Sequence, residues 1–141
     1  MVKNVLVPID GSENANEALR YALNNHPDAD LTVLYVLNVG GLDGVDGPII
    51  TFDAEAKKQF EQNATRLFDE AHETAEEFGY DGELLTVMEE GDPANVILEH
   101  TPDADVVVMG SRGRKGAGRK LLGSVAEKVV RRSPVTVVVV K

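Results

Sequence analysis

The glycine-rich stretch between Gly110 and Ser124 holds the residues best suited to chemistry in this chain of 141 residues. It follows an apolar run, residues 106–109, that is typical of a buried strand. Apolar residues at helical spacing come after it, between Leu121 and Val130. Glycine lets the backbone approach an anion closely, and the N-terminus of a helix carries partial positive charge. A strand, a glycine-rich loop and a helix start in this order predict an anion site, most simply one for phosphate.

The charge distribution favours the same interpretation. The chain has a net charge of −10, yet residues 110–134 hold eight basic side chains against Glu127 alone. A local excess of positive charge attracts small anions, whereas the acidic remainder of the surface repels nucleic acid. We therefore expect a small anionic ligand and no nucleic acid partner. The alternative is that these charges are solvated loop and helix residues, as most charge runs are.

Five short apolar runs alternate with four helical patterns, which predicts an open α/β fold. Strict alternation favours a parallel sheet with helices on both faces, here in a single domain spanning residues 1–141. The strands are expected at residues 5–9, 31–37, 83–88, 106–109 and 135–140, and the helices at 13–25, 53–79, 93–100 and from Arg119 onward. The inward-facing residues are expected to be Ala15, Ala18, Leu19, Ala22 and Leu23 in the first helix and Phe60, Ala64, Leu67, Phe68, Ala71, Ala75 and Phe78 in the second.

A polar turn, Asp10-Gly11-Ser12, follows the first predicted strand. In open parallel sheets, ligands bind beyond the carboxyl ends of the strands, where the winding direction reverses. If strands 1 and 4 are neighbours, this turn and the glycine-rich loop meet there. Asp10 could then accept a hydrogen bond from a ribose hydroxyl or an adenine amino group, or help to hold a metal bound to phosphates. Alternatively, Asp10 or Ser12 caps the first helix.

The glycine spacing matches a known family. Neither a Walker A loop nor a dinucleotide-binding fingerprint is present. The pattern G-x2-G-x9-G-S does occur, at Gly110, Gly113, Gly123 and Ser124. The first strand ends in Pro-Ile-Asp-Gly-Ser (8–12), and Ser-Pro-Val (133–135) introduces the last strand. In these features the chain resembles the universal stress protein family over essentially its full length.

The resemblance implies a Rossmann-like fold with strand order 3-2-1-4-5 and ATP as the ligand, with Mg²⁺ or Mn²⁺ held only through its phosphates. In the ATP-binding branch of that family, the backbone around the matching glycines cradles the phosphates, and the residue that matches Ser124 contacts them. Without a ligand, Gly123 would serve helix packing, Ser124 would face solvent, and Val36 and Met109 would be core residues. The implied site residues are Pro8, Asp10, Val36 and Met109 for adenosine, with Gly110, Gly113, Gly123, Ser124 and Val125 around the phosphates.

We expect a nucleotide-responsive regulatory or stress-protection module that at most hydrolyses ATP slowly. His26, His72 and His100 share no metal-ligand spacing and are expected on the surface. A carboxylate from residues 89–92, after the third strand, could reach the cleft, although Asp92 is better suited to cap the third helix. Two alternatives remain open: a weak ATP hydrolase or phosphotransferase, and an assembly protein with a vestigial pocket.

Location and assembly follow from simpler features. The absence of cysteine, of a signal peptide and of a membrane-length apolar run predicts a cytoplasmic protein without membrane contact. A bare apolar edge strand invites pairing, so we predict an edge-to-edge homodimer through the strand that runs from Val135 to Val140. The resemblance implies the same arrangement, and the protein partner downstream is unknown. The glycine-rich loop of residues 38–52 is either a binding loop or a plain insertion.

Overall fold

The computed structural model describes residues 1–38, 54–112 and 122–141. Five parallel strands form one sheet: β1 (Asn4–Ile9), β2 (Asp30–Leu37), β3 (Leu84–Glu90), β4 (Val106–Gly110) and β5 (Thr136–Val140). The helices are α1 (Glu13–Asn25), α2 (Ala54–Glu77), α3 (Pro93–Glu99) and α4 (Ser124–Arg132), with a 3₁₀ turn at Thr101–Asp103. The strand order β3-β2-β1-β4-β5 confirms the predicted Rossmann-like α/β fold.

Different helix pairs cover the two faces of the sheet. Side chains alternate along β1, so that Val5 and Val7 pack against α1 and α2, while Leu6 packs against α3 and α4. Because both faces of the central strands are buried, these strands are apolar almost throughout. All five inward residues predicted for α1 are buried.

The inward face predicted for α2 is confirmed except at its end. Five of its predicted residues are buried: Phe60, Ala64, Leu67, Ala71 and Ala75. Phe68 packs partly against the same core. Phe78, however, is 42% exposed. It lies beyond the last residue of α2, where the helical period no longer directs its side chain towards the sheet.

The boundaries predicted for α4 and β3 are also wrong. α4 begins at Ser124 rather than near Arg119, because Gly123 has the extended backbone angles φ −73° and ψ 167°. Leu122 was counted in the helical pattern, but it packs against the core from outside the helix. β3 extends to Glu90, so that Glu89 lies within the strand and not after it. The predicted loop of residues 38–52 lies outside the described residues apart from Asn38, which is buried.

The two edge strands are less completely covered than the centre of the sheet. On β3, Leu85 and Met88 are 49% and 44% exposed. On β5, the four valines from Val137 to Val140 are half-buried. Full coverage of both faces therefore applies only to the three central strands. No helix in the described part of the chain combines the length and the apolar character needed to cross a membrane.

Candidate functional site

The first turn of α1 packs directly against the carboxyl end of β4. β1 and β4 are paired neighbours, with Val5 opposite Val106. A Cβ atom added to Gly110 would lie 2.8 Å from both the carbonyl carbon and the Cβ of Asn14. The two loops were predicted to meet if the first and fourth strands are neighbours, and these strands are indeed paired. Gly110 is required here by the close approach of α1, whatever else it contacts.

The turn between β1 and α1 is held by its own polar side chains. Gly11 has a φ of +85°, a conformation that glycine adopts without strain. The backbone N–H of Ser12 donates to Oδ1 of Asp10 at 2.9 Å. The Ser12 Oγ accepts a hydrogen bond from the N–H of Ala15 at 3.1 Å, which makes Ser12 the N-cap of α1. One Asp10 oxygen thus fixes the turn. Asp10 also lines a cleft.

Hydrogen bonds tie the two ends of the glycine-rich loop together. The N–H of Ser111 donates to the carbonyl of Val140 at 2.8 Å, and the N–H of Gly123 donates to the carbonyl of Ser111 at 2.6 Å. Among the described residues, no side chain caps α4 at Gly123, whereas Ser12 and Asp92 cap α1 and α3. The first N–H groups of a helix carry partial positive charge and attract anions. The start of α4 therefore has the polarity that a phosphate group requires.

A cleft opens over the carboxyl ends of β1, β2 and β4, and the structure brings most of the predicted site residues together there. Ser124, the first residue of α4, is exposed and is not among the described residues that line the cleft. Gly113 is outside the described residues. Seven of the nine predicted residues line the cleft: Pro8, Asp10, Val36, Met109, Gly110, Gly123 and Val125.

The cleft also contains residues that the sequence interpretation missed. The rings of Tyr35 and Phe60 are stacked, with centroids 4.9 Å apart, and both line the cleft together with Asn63. Helical periodicity predicted that Phe60 is buried, but nothing in the sequence connects it with Tyr35. Arg112 belongs to the basic run that predicted an anion site, and it too lines the cleft. Only tertiary packing shows that Arg112 faces it, and the other basic residues from Arg114 to Lys120 lie outside the described residues.

The α3 side of the cleft is fixed by Asp92. Its Oδ2 accepts a hydrogen bond from the N–H of Asn95 at 3.0 Å, which confirms the predicted cap. The same oxygen lies 3.5 Å from Nζ of Lys128, so that the start of α3 is linked to α4. Pro93, the next residue, lines the cleft. Residues 89–92 are not among the described residues that line the cleft. The prediction that one of their carboxylates reaches the cleft is therefore not supported.

Two of the three histidines are less exposed than the predicted surface positions. His100 is half-buried, and its Nε2 lies 2.5 Å from Oε2 of Glu89. The longer β3 explains this contact, because Glu89 projects from the strand towards the end of α3. His72 is exposed and His26 is half-buried. Within residues 1–38, 54–112 and 122–141, no three His, Asp or Glu side chains are placed to hold a metal ion together.

The lining combines apolar walls with two opposite charges. Val36, Ile97 and Met109 form part of the walls. Asp10 and Arg112 are the charged side chains among the described residues that line the cleft. Apolar walls with a few converging polar groups are typical of small-molecule sites. The arrangement suits a ligand with one flat, weakly polar part and one anionic part.

Fold and cleft together define an open α/β protein with a cleft at the reversal of sheet winding, where ligands bind in such sheets. The family model described as "Universal stress protein family" matches residues 1–141, and the chain belongs to that family. A universal stress protein from Methanocaldococcus jannaschii is 33% identical over 150 aligned positions, which cover 100% of this chain and 83% of the relative. The solved structure of the universal stress protein UspA from Lactobacillus plantarum has a TM-score of 0.79 at 26% identity, covering 99% of this chain and 97% of that chain.

Two more distant solved structures have the same fold and contain nucleotides. One is a universal stress protein in complex with cAMP, with a TM-score of 0.71 and 23% identity over 99% of this chain and 97% of that chain. The other is a family member from Arabidopsis thaliana with AMP bound, with a TM-score of 0.64 and 17% identity over 99% of this chain and 91% of that chain.

Proposed function

We propose that this chain is an ATP-binding universal stress protein in which occupancy of the cleft by ATP regulates the binding of a protein partner in the cytoplasm. One observation carries the proposal. The start of α4, uncapped by any described side chain at Gly123, lies beside a cleft that also contains Arg112. Helix N-termini of this kind bind phosphates through their backbone N–H groups.

The cleft residues divide into a nucleoside part and a phosphate part. Val36 and Met109 supply apolar surface for the adenine, beside Pro8. The carboxylate of Asp10 accepts a hydrogen bond from a ribose hydroxyl or from the adenine amino group. Gly110, Gly123 and Val125 border the phosphates, and Gly113 and Ser124 are added by the family resemblance. Mg²⁺ or Mn²⁺ is held through the phosphates.

Two observations support an adenine nucleotide in particular. The two solved nucleotide complexes described above contain adenine nucleotides, cAMP in one and AMP in the other. The apolar walls at Val36 and Met109 provide a surface on which a purine can lie, and the charged side chains of Asp10 and Arg112 line the same cleft. A purine nucleotide combines a flat base for the apolar walls with an anionic part for Arg112.

Isothermal titration of the purified chain with ATP, ADP, AMP, cAMP and GTP tests the proposal. We expect saturable binding of ATP, weaker binding of AMP, and the weakest binding of GTP. A chain that takes up none of these nucleotides at millimolar concentration contradicts the proposal. Repeating the ATP titration with EDTA and then with added Mg²⁺ determines the contribution of a phosphate-bound cation.

A matched pair of variants at Ser124 tests the start of α4. Asp and Asn have the same shape, and the position is exposed, so the two variants differ mainly in charge. A carboxylate in the first turn stabilises a helix by about 0.3–1 kcal/mol. The same carboxylate repels a phosphate about 4 Å away by roughly 1–4 kcal/mol. Ser124→Asp should therefore keep or raise the free energy of unfolding while weakening ATP binding well beyond Ser124→Asn. Equal ATP affinity in the two variants would show that the phosphates do not bind at the start of α4.

The homodimer through β5 is part of the proposal. β5 is an edge strand whose valines are half-buried in the monomer, so that pairing with a second copy covers apolar surface and satisfies the backbone edge. Sedimentation at micromolar concentration should give twice the chain mass of 15.2 kDa. Replacing Val139 by proline removes one backbone donor and introduces a ring at the edge, which should shift the species to the monomer. A wild-type monomer under these conditions contradicts the dimer.

Slow ATP hydrolysis is the second candidate function. Asp10 is the carboxylate among the described cleft residues, and it is the only general base that they offer. Positioning and charge stabilisation dominate phosphoryl transfer, so even a poorly placed base gives some turnover. Release of labelled phosphate over many turnovers, abolished in Asp10→Asn even at ATP concentrations that saturate the variant, would make the chain an enzyme. Phosphate release that does not exceed one equivalent would leave it a binding protein.

A further inference from the structure

Arg112 occupies a defined position beside the start of α4. It follows Ser111, which is only 2% exposed and whose carbonyl accepts the hydrogen bond from the N–H of Gly123. Because Ser111 is also bonded to Val140, its position is fixed by the sheet on one side and by α4 on the other. Arg112 therefore directly follows a residue whose backbone is held in place by two hydrogen bonds. Its side chain is half-buried and lines the cleft.

The charge environment of Arg112 differs from that of three of the four other arginines that the structure describes. Arg20, Arg66 and Arg131 each form an ion pair with a glutamate on the same helix. Within residues 1–38, 54–112 and 122–141, no ion pair or hydrogen bond joins the Arg112 guanidinium to another group. The chain has 24 acidic residues for 14 basic ones, so partners for an arginine are plentiful. A half-buried guanidinium in a cleft without such a partner is positioned to pair with an anionic ligand.

We propose that Arg112 is the residue by which the cleft distinguishes nucleotides according to the length of their phosphate chain, favouring ATP over AMP. This inference rests on the proposed binding of an adenine nucleotide. A guanidinium binds phosphate oxygens through two parallel N–H donors and keeps its charge at every physiological pH. The N–H groups at the start of α4 supply partial charges, whereas Arg112 supplies a full one. Each additional phosphate adds negative charge for Arg112 to neutralise.

The direction of the selectivity follows from the charge of Arg112 and from its place in the chain next to Ser111, which is bonded to the start of α4. In the proposed complex Val36 and Met109 contact the base, and these apolar contacts do not depend on the charge at residue 112. Adenosine has no phosphate, so its affinity should not depend on Arg112. The contribution of Arg112 should then rise from adenosine through AMP to ATP. Salt should reduce this contribution, because the side chain is only half-buried and its charge is screened.

Titration of three ligands into three forms of the chain tests the inference. The ligands are adenosine, AMP and ATP, and the forms are the wild type, Arg112→Gln and Arg132→Gln. Arg132 is the matched control, because it is exposed at the far end of α4 and its replacement changes the net charge equally. Far-UV circular dichroism in urea checks that the free energy of unfolding is the same in all three forms, since the Arg112 side chain forms no bond to a described residue.

In Arg112→Gln we expect the ATP affinity to fall about tenfold or more, the lower end of what a hydrogen bond to a charged group contributes. The AMP affinity should fall less, and the adenosine affinity should stay within about twofold, a difference near RT. Arg112→Lys should recover part of the ATP affinity, because it restores the charge without the paired donors. Arg132→Gln should match the wild type for all three ligands, apart from the small effect of net charge.

Two results would overturn the inference while leaving the proposed function intact. The first is ATP binding by Arg112→Gln at wild-type strength, which would show that the guanidinium does not contact phosphate. The second is an equal loss of affinity for adenosine and for ATP, which would show that Arg112 shapes the cleft. A wild-type chain that binds none of the three ligands refutes the proposed function itself, and the inference falls with it.

Discussion

Replacement of Gly110 by alanine is the sharpest test of the packing between α1 and β4. The added Cβ would lie 2.8 Å from the carbonyl carbon and the Cβ of Asn14 and 3.0 Å from its oxygen. These atoms belong mostly to backbone in the first turn of α1, which cannot rotate away as a flexible side chain would. Overpacking of this kind costs about 1–3 kcal/mol. For a chain of this length, the loss lowers Tm by about 3–12 °C.

Urea unfolding followed by far-UV circular dichroism measures the loss, since the chain has no tryptophan to report it by fluorescence. Gly79→Ala is the control. A Cβ at Gly79 meets nothing within 4 Å, but its φ of +67° is unfavourable for alanine and costs about 1–2 kcal/mol. The control therefore measures backbone strain without steric overlap. Displacement of α1 in Gly110→Ala should also disturb the Asp10 turn and weaken ATP binding, whereas Gly79→Ala should bind ATP like the wild type.

The outcome separates two reasons for a glycine at position 110. An unfolding free energy of Gly110→Ala within about 0.5 kcal/mol of the wild type would refute the tight packing of Asn14, because substitutions away from packed features stay in that range. If such a stable variant also lost ATP binding, close approach of the backbone to phosphate would remain as the explanation. A loss of both properties agrees with the structure, in which the helix contact comes first.

Three further predictions concern stability. Tyr80→Phe removes a hydrogen bond of 2.6 Å to the Ala29 carbonyl and should lower the free energy of unfolding by about 1 kcal/mol. Burial also raises the pKa of the Tyr80 hydroxyl above 10.0, so the wild type should lose stability as the pH rises above 10 towards the folded-state value. A phenylalanine variant with the same loss at high pH would contradict this. The N–H groups of Lys3 and Asn4 lower the pKa of Asp105 below 3.8, so its contribution should be present above pH 4 and disappear as the pH falls through the folded-state value. Acid titration should therefore destabilise the wild type more than Asp105→Asn, and identical curves would show that these bonds do not matter. Ser12→Ala removes the cap of α1 and should cost about 1 kcal/mol in urea unfolding, whereas an unchanged midpoint would mean that the cap is satisfied by water.

The sequence determined the elements and the family. Short apolar runs mark the strands, and a period of 3.6 marks the helices, so these local patterns predicted the alternating α/β order and the inward face of α1. Turn residues also act locally, so that Asp92 was identified as the better candidate for the cap of α3. The glycine spacing from Gly110 to Gly123 identified the family, because those residues stand on one continuous stretch of chain.

Only the tertiary structure decided which groups meet. The sequence left open whether Asp10 or Ser12 caps α1, because both side chains can accept the same kind of hydrogen bond, and the turn geometry selects Ser12. The contact between Glu89 and His100 depends on how far β3 extends, which edge-strand hydrophobicity does not reveal. Arg112 was one of several basic residues in a run, and only the folded structure shows that it lines the cleft. Contacts between residues far apart in the chain depend on packing, and no local pattern encodes them.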